Sequence, residues 1–441
     1  MQFSRRSFLK QAAVSAAATP WLLPSRVWAA ATPPNSRLTM GFIGLGKQGR
    51  YLLGGFLGQE THVLAVCDVD TTRRNGAKQQ VDEHYAKQSS KGECAAYNDF
   101  REIINRRDID AVCIATPDHW HTIPILAALR AGKDVYCEKP LTHNIHEAVE
   151  VLRAVDANKR VLQTGSMQRS SKEFRVACEL VLNGAIGKIQ RVECSFGDAP
   201  VPCNLPEETM EPGLDWNFWV GPAPMRPYSS VLSPRGICQH FPAWRNYREF
   251  GGGGVADWGA HHLDIAQWGL GMDGSGPVEV LPPAKPGAKR GVKVVYANGV
   301  TVEHKDGFGI DFFGTEGEVQ VNRGKFIFKR EGEMIASFTG ERTTSCAAQV
   351  QKAEKAFLQD AKIKLYVSKN HLSDFMDCVK SRKKPITSEQ VGARSAICCH
   401  LVNQAYFHGQ KIKWDPANFT FVGGTGDPAW LTRNYRKPWS V

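Results

Sequence analysis

Asp257, His261 and Asp264 follow a run of four glycines, Gly251 to Gly254, at intervals of four and three residues. On a helix that spacing sets all three on one face. A carboxylate one turn from an imidazole can orient the ring and stabilise its charged form, which suits a general base taking an alcohol proton. The same spacing also fits a plain helix-face pair with no catalytic role. Lys139, in Glu138-Lys139-Pro140, follows an apolar run. It therefore falls at the end of a strand, where open α/β sheets bind ligands. Its ammonium can stabilise charge developing on a substrate oxygen or relay the proton; a surface lysine in a turn is the alternative. Asp118, His119 and His121, added to the Asp257 cluster, contain enough ligands for a metal, but their spacing matches no closed metal pattern.

A second group of residues suits a dinucleotide. Gly44-Leu45-Gly46-Lys47-Gln48-Gly49 follows an apolar run and opens a helical one, and Asp68 lies 24 positions after Gly44. Glycines in this pattern permit a tight turn and close approach of backbone to a pyrophosphate, which then faces the helix N-terminus beside Lys47 and Gln48. Asp68 is placed to accept the ribose hydroxyls. Its carboxylate repels a 2′-phosphate, which favours NAD over NADP, while Arg73 and Arg74 soften that preference.

These residues need elements to hold them. Apolar runs predict strands at Leu38 to Ile43, Val63 to Cys67, Ile109 to Ala115, Asp134 to Cys137 and Val161 to Thr164. Helices are predicted through Leu57, over Arg73 to Ser89, His119 to Ala131 and Ile145 to Asn158. Such alternation means βαβ units and a parallel sheet. Beyond 166 come a helix over Lys172 to Leu182, strand-like runs at Ile189 to Ser195, Val292 to Tyr296, Thr301 to Lys305, Glu318 to Val321 and Lys325 to Lys329, and helices over Leu372 to Ser381 and Glu389 to Phe407. Short turns between the later strands predict a large, open, mostly antiparallel sheet. The expected fold class is α/β, an N-terminal Rossmann parallel sheet followed by an α+β domain. The domains are a signal at 1–31, a dinucleotide domain at 37–165, a substrate and oligomerisation domain at 166–414 and a tail at 415–441. Residues 198–254 form a loop region rich in Pro, Trp and Gly. Trp216, Trp219, Trp244 and Trp258 lie in or beside the expected pocket, where they would stack on a sugar ring or simply pack.

The chain opens with Ser4-Arg5-Arg6-Ser7-Phe8-Leu9-Lys10, a short apolar run from Ala12 to Leu23 and small residues at 29–31. This reads as a twin-arginine signal, exported folded by the Tat machinery to the periplasm. The run falls short of the ~18 apolar residues of a membrane helix, so no stable membrane insertion is expected. A nucleotide-dependent enzyme sent to the periplasm must carry its cofactor with it, so a tightly bound, self-recycled NAD is expected. Of the net charge of +11, four come from Arg5, Arg6, Lys10 and Arg26, and the rest is spread along the chain, without the concentrated basic stripe that nucleic-acid binding needs. Of the twelve cysteines, Cys67, Cys113, Cys137, Cys398 and Cys399 lie in apolar runs and read as small buried hydrophobes. Cys203 and Cys238, in loop-rich sequence, are the pair left open to bridging.

Taken in order, Gly44-x-Gly46-x-x-Gly49, Thr116-Pro117-Asp118-His119-Trp120-His121, Glu138-Lys139-Pro140 and a glycine run followed by Asp257-x-x-x-His261 resemble the Gfo/Idh/MocA family. The likeness runs from about Leu38 to Trp414. It implies oxidation of a CH–OH group of a sugar or cyclitol, with Lys139, Asp257 and His261 as the catalytic trio and His261 as acid/base. It implies that Thr116, Pro117 and His119 line the nicotinamide and its ribose, that His121, Glu138 and Gln168 belong to the same cofactor wall, and that His262, Asp264 and Trp258 touch substrate. It also implies a homo-oligomer, dimer or tetramer. Redox-neutral glycoside cleavage and a non-catalytic dinucleotide sensor are the competing functions. The Thr-His-Gly segment of the family's NAD-dependent glycosidase branch has no aligned counterpart here.

Overall fold

The computed structural model describes residues 37–88, 93–340 and 343–441. The twin-arginine segment and the small-residue zone behind it lie outside these residues, as does Ser89, the predicted end of the second helix.

The first half is a parallel six-stranded sheet: β1 (Leu38–Ile43), β2 (Thr61–Cys67), β3 (Ala95–Tyr97), β4 (Ala111–Ile114), β5 (Asp134–Cys137) and β6 (Leu162–Thr164). The strand order is β3-β2-β1-β4-β5-β6. Helices α1 (Lys47–Leu57), α2 (Thr71–Lys87), α3 (Phe100–Ile104), α4 (Thr122–Arg130) and α5 (Ile145–Asn158) connect the strands. Both sheet faces are covered, so the strands read as continuous apolar runs. Strand order reverses between β1 and β4, which opens a crevice at their carboxyl ends. Helix α2 starts two residues earlier than predicted because the Asp70 carboxylate accepts the Thr72 and Arg73 N–H groups. β3 and α3 are too short to show a period in the sequence. The predicted helix at His119 begins instead as a 3-10 turn, Asp118–Trp120, before α4.

The second half adds α6 (Lys172–Leu182), β7 (Ile189–Cys194), α7 (Trp216–Val220), α8 (Gly253–Asp257) and α9 (Gly259–Gly269). The strands β8 (Glu279–Leu281), β9 (Lys293–Val295), β10 (Thr301–His304), β11 (Ile310–Gly314), β12 (Gly317–Asn322), β13 (Lys325–Arg330) and β14 (Glu333–Phe338) follow. The chain ends with α10 (Cys346–Phe357), α11 (His371–Ser381), α12 (Glu389–His408), β15 (Ile412–Asp415) and β16 (Thr420–Phe421). These strands form one ten-stranded sheet, β14-β13-β12-β11-β7-β10-β9-β8-β15-β16, in which β7 and β10 are the parallel pair. Alternate residues such as Val319, Val321, Phe326 and Phe328 are buried on its inner face, under α6, α9 and α10. β11, β14 and α10 have no counterpart among the predicted elements.

The chain does not stay on one side of residue 165. Phe375 of α11 packs edge-on against Phe56 of α1 and Tyr136 of β5. Gly392 of α12 meets β6 so closely that a Cβ would lie 2.0 Å from the Thr164 hydroxyl. The final residues return as well: Arg433 pairs with the buried Glu147 of α5 at 2.9 Å, and Trp439 packs on Trp120. Within 198–254 the loop crosses the mouth of the first sheet. Thr71 donates to the Gly213 carbonyl at 2.8 Å, Asp215 donates to the Val69 carbonyl at 3.0 Å, and Arg235 forms an ion pair with buried Asp70. Cys203 and Cys238 are both free thiols.

Candidate active site

A cavity of about 680 Å³ connects the β1–α1 turn, the carboxyl ends of β4 and β5 and the α8–α9 junction. Its first end is shaped by glycines. Gly44 takes φ +86°, and a Cβ there would lie 2.7 Å from the Thr116 nitrogen. A Cβ on Gly49 would lie 2.0 Å from the Gly44 carbonyl oxygen. Gly46, by contrast, faces open space with nothing within 4 Å, and it begins α1 without a side-chain cap. The first N–H groups of α1 therefore lack a side-chain acceptor at a cavity wall, as an anion site requires. Buried Thr116 Oγ1 and both amide atoms of Gln168 line the same cavity with no hydrogen-bond partner among the described residues. An unpaired buried polar atom costs roughly 1–3 kcal/mol, so these atoms fit a polar ligand. On this geometry the residues present suit a dinucleotide. Gly49→Ala is expected to weaken NADH affinity more than about tenfold by forcing the turn apart. Fluorescence titration of cofactor-stripped protein checks this, and unchanged affinity would contradict it.

Asp68 lines the cavity but also supports the turn. Its Oδ2 accepts the Leu45 N–H at 2.7 Å and its Oδ1 accepts the Asp70 N–H at 2.8 Å. The arginines expected to soften the NAD preference are otherwise engaged. Arg73 donates to the Gly236 carbonyl at 2.9 Å, and Arg74 donates to the Asp68 carbonyl at 2.7 Å and to Asn98 at 3.1 Å. Neither guanidinium is free for a 2′-phosphate, which leaves the Asp68 carboxylate to set the preference.

At the other end, Lys139 forms an ion pair with the Asp257 carboxylate and donates to the Asp257 carbonyl at 3.0 Å. Arg245 adds a second cation, its Nε 3.6 Å from the same carboxylate oxygen. Burial alone would raise the Asp257 pKa, but Lys139 and Arg245 outweigh it and hold the carboxyl below its ordinary value. The expected orientation of His261 by Asp257 is not what the chain adopts. The His261 N–H bonds the Trp258 carbonyl three residues back, so the helix tightens between α8 and α9 and Asp257 turns to Lys139. Neither ring nitrogen of His261 has a hydrogen-bond partner among the described residues. Burial, with Lys139 and Arg323 nearby, pushes the His261 pKa well below its ordinary value. The resting ring is neutral and can accept a proton.

Buried Asp118 shares this wall and accepts the Gly252 N–H at 3.4 Å. Burial, reinforced by Asp257, pushes its carboxyl up to about 7 against the pull of Arg245 and Lys139. The folded state thus holds a proton up to about pH 7 that the unfolded chain releases near 3.8. Stability falls as pH rises through that window. Asp118→Asn in cofactor-stripped protein is expected to raise the thermal midpoint above pH 7, with the gain fading as pH falls towards 3.8; a gain independent of pH would contradict this.

Lys47, Gln48, Thr116, Pro117, His121, Glu138, Gln168 and Trp258 all line the cavity. Gln48 Nε2 donates to the Glu138 carboxylate at 2.8 Å. His121 braces the wall, its ring nitrogens 2.8 Å from the Pro140 carbonyl and 2.9 Å from the Thr116 carbonyl. Three predicted contacts lie off the cavity. His119 sits behind the wall between the Trp219 and Phe250 carbonyls. His262 turns its Nδ1 to the Ser195 carbonyl. Asp264 is wholly buried and takes two hydrogen bonds from Arg169, both at 2.8 Å, and one from Ser395 at 2.7 Å. The tightened turn at Trp258 parts Asp257 from the face that His261 and Asp264 share on α9. The committed carbonyl contacts of His119 and His121 also remove them from a metal set. No local pattern marks Arg245, in a 3-10 turn of the long loop, or Arg323, at a hairpin tip; both reach the cavity only through the fold.

Two family models account for most of the described chain. The NAD-binding Rossmann fold of the Gfo/Idh/MocA oxidoreductase family matches residues 38–166, and the C-terminal alpha/beta domain of that family matches residues 200–441. The chain is 27% identical over 213 residues to glycosyl hydrolase family 109 protein 2 of Shewanella sp. (strain ANA-3), covering 44% of this chain and 46% of that protein. It is 29% identical over 185 residues to inositol 2-dehydrogenase 4 of Saccharopolyspora erythraea, covering 40% and 50%. The chain thus spans about half the length of these relatives. Among solved structures, levoglucosan dehydrogenase with NADH and L-sorbose aligns at TM-score 0.58 and 17% identity, over 86% of this chain and 98% of that one. Aldose-aldose oxidoreductase of Caulobacter crescentus with glycerol aligns at TM-score 0.55 and 16% identity, over 86% and 99%. At such identities the likeness is one of fold.

Proposed function

The chain belongs to the Gfo/Idh/MocA oxidoreductase family, and from that premise we propose that it oxidises a secondary alcohol of a sugar or cyclitol, with NAD as acceptor. One observation carries the reading: Lys139 and neutral His261 share a cavity with the glycine turn. Gly44 to Gly49, Asp68, Thr116 and Gln168 would hold NAD, which would supply the two-electron acceptor. Lys139, fixed by Asp257, places positive charge where the reacting oxygen gains electron density. His261 takes the hydroxyl proton. Among relatives, inositol 2-dehydrogenases point to the cyclitol class by their name. The test is reduction of protein-bound NAD by a panel of sugars, sugar acids and cyclitols. Reduction by at least one is expected, and a silent panel would overturn the reading.

We further read the opening Arg5-Arg6 segment as a Tat signal, the mature protein as a periplasmic homo-oligomer, and the cofactor as retained and reoxidised in place by a second substrate. The loop tied over the end of β2 by Gly213, Asp215 and Arg235 supports retention. Sequencing the mature N-terminus from a periplasmic fraction tests export, and an intact Met1 found only in cytoplasm would reject it. A second reading, redox-neutral cleavage of a glycoside, draws on the relative named as a glycosyl hydrolase. It predicts bond cleavage without accumulation of NADH.

A further inference from the structure

At the His261 end of this cavity, Arg323 is a cation that the chain leaves without a hydrogen-bond or ion-pair partner among the described residues. It sits at the tip of the β12–β13 hairpin, between Asn322 and Gly324. The tip is pinned on both sides: Asn322 donates to the Phe308 carbonyl at 2.6 Å, and the Gly324 N–H donates to Glu173 at 3.2 Å. The guanidinium rests over the Trp258 ring at 4.7 Å, and that ring is 6.1 Å from the His261 ring. Among the described residues no hydrogen bond or ion pair engages the guanidinium of Arg323. The acids that face this end have other partners: Asp257 is paired with Lys139, Glu138 accepts from Gln48 and the Lys139 N–H, Asp118 accepts the Gly252 N–H and Glu173 accepts the Gly324 N–H. Lys139 and Arg245 on the same wall both face Asp257, so Arg323 is the cation at this end without an acid partner among the described residues. Stacking of a planar guanidinium on an aromatic face fixes its plane and leaves its donors directed outward, the arrangement that grips a carboxylate or phosphate in two-point fashion.

We infer that the substrate carries an oxyanion near its reacting carbinol, held by Arg323, so that the enzyme prefers a sugar acid or sugar phosphate to a neutral sugar. The inference rests on the oxidation reading for the site but not on turnover for its test. Arg323 acts here in binding and specificity, with the proton and electron pair still leaving the carbinol at the Lys139–His261 end.

The experiment uses NAD-loaded full-length protein and its Arg323→Gln and Arg323→Lys variants. Binding of a hexuronate, an aldonate, a hexose phosphate and the matching neutral hexose to the NADH form is measured by calorimetry, alongside reduction of bound NAD. The anionic sugars are expected to bind at least about tenfold more tightly than the neutral one. Arg323→Gln is expected to weaken them about 10- to 100-fold, chiefly in KM, with Arg323→Lys intermediate because it loses the two-point grip. The carboxylates and the phosphate in the panel separate the two oxyanion sources. Equal affinity for acid and neutral sugar, or no change in Arg323→Gln, overturns the inference even if oxidation is seen. Tight, Arg323-dependent binding of an anionic sugar that never reduces NAD sustains the inference and overturns the oxidation reading.

Discussion

Lys139→Ala and His261→Asn are each expected to lower kcat by about 10²- to 10⁴-fold on the identified substrate, with NADH affinity little changed. Both groups act on charge and a proton that appear only as the carbinol reacts, so the loss should fall on kcat more than on KM. The double variant should cost little more than either alone, because the two act on one oxygen. Lys139→Ala also strips Asp257 of its nearest cation, leaving Arg245 at 3.6 Å. Asp257→Asn should therefore reproduce part of the Lys139 effect by loosening the ammonium. The acid limb of kcat/KM should lie below pH 6.5, since His261 is held well below that value and stays neutral. Steady-state kinetics with bound-cofactor reduction as readout check these expectations. Near-wild-type kcat in either single variant would remove that residue from the chemistry.

Arg169→Met is the second large effect, and it falls on stability. Arg169 and Asp264 are 2% and 0% exposed, and their carboxylate and guanidinium are joined by two hydrogen bonds. Arg169 also reaches Asp273 at 2.6 Å and stacks on Trp268. Removing one partner of a buried pair leaves an uncompensated charge and costs about 3–5 kcal/mol. Replacing both, as Arg169→Met with Asp264→Leu, should recover most of that loss. Thermal unfolding of the three proteins checks this. The same series decides what Asp264 does: a change in KM without a fall in thermal midpoint would return it to substrate binding, whereas the structure makes it a strut between α9, the turn at Arg169 and α12.

The first sheet was legible except for three-residue β3, because its other strands are apolar on both faces and its glycine turn has few other uses. The second sheet was half legible. β12 and β13 alternate clearly, but β8, β15 and β16 are two to four residues long, too short for a period to register. The site followed the same division. Gly44, Gly46, Asp68, Thr116, Lys139 and His261 sit at strand ends or on a helix, where sequence position fixes spatial position. Asp264 and His262 were placed beside substrate by the family resemblance, whereas on α9 they turn to Arg169 and Ser395 and to the Ser195 carbonyl, partners that only long-range packing brings there. Arg245 and Arg323 come from a loop and a hairpin whose approach to the cavity is set by long-range packing, which local pattern does not encode. The return of α11 to Phe56 and of Arg433 to Glu147 is long-range in the same sense.

On the proposed reading, the nicotinamide cofactor is retained by the folded protein through export. Protein purified from a periplasmic fraction, washed, denatured and cleared should release NAD or NADH in near one-to-one amount, with no NADP or NADPH. Cofactor-free protein that binds added NAD only weakly would contradict retention and, with it, the reading of an exported, self-recycling oxidoreductase.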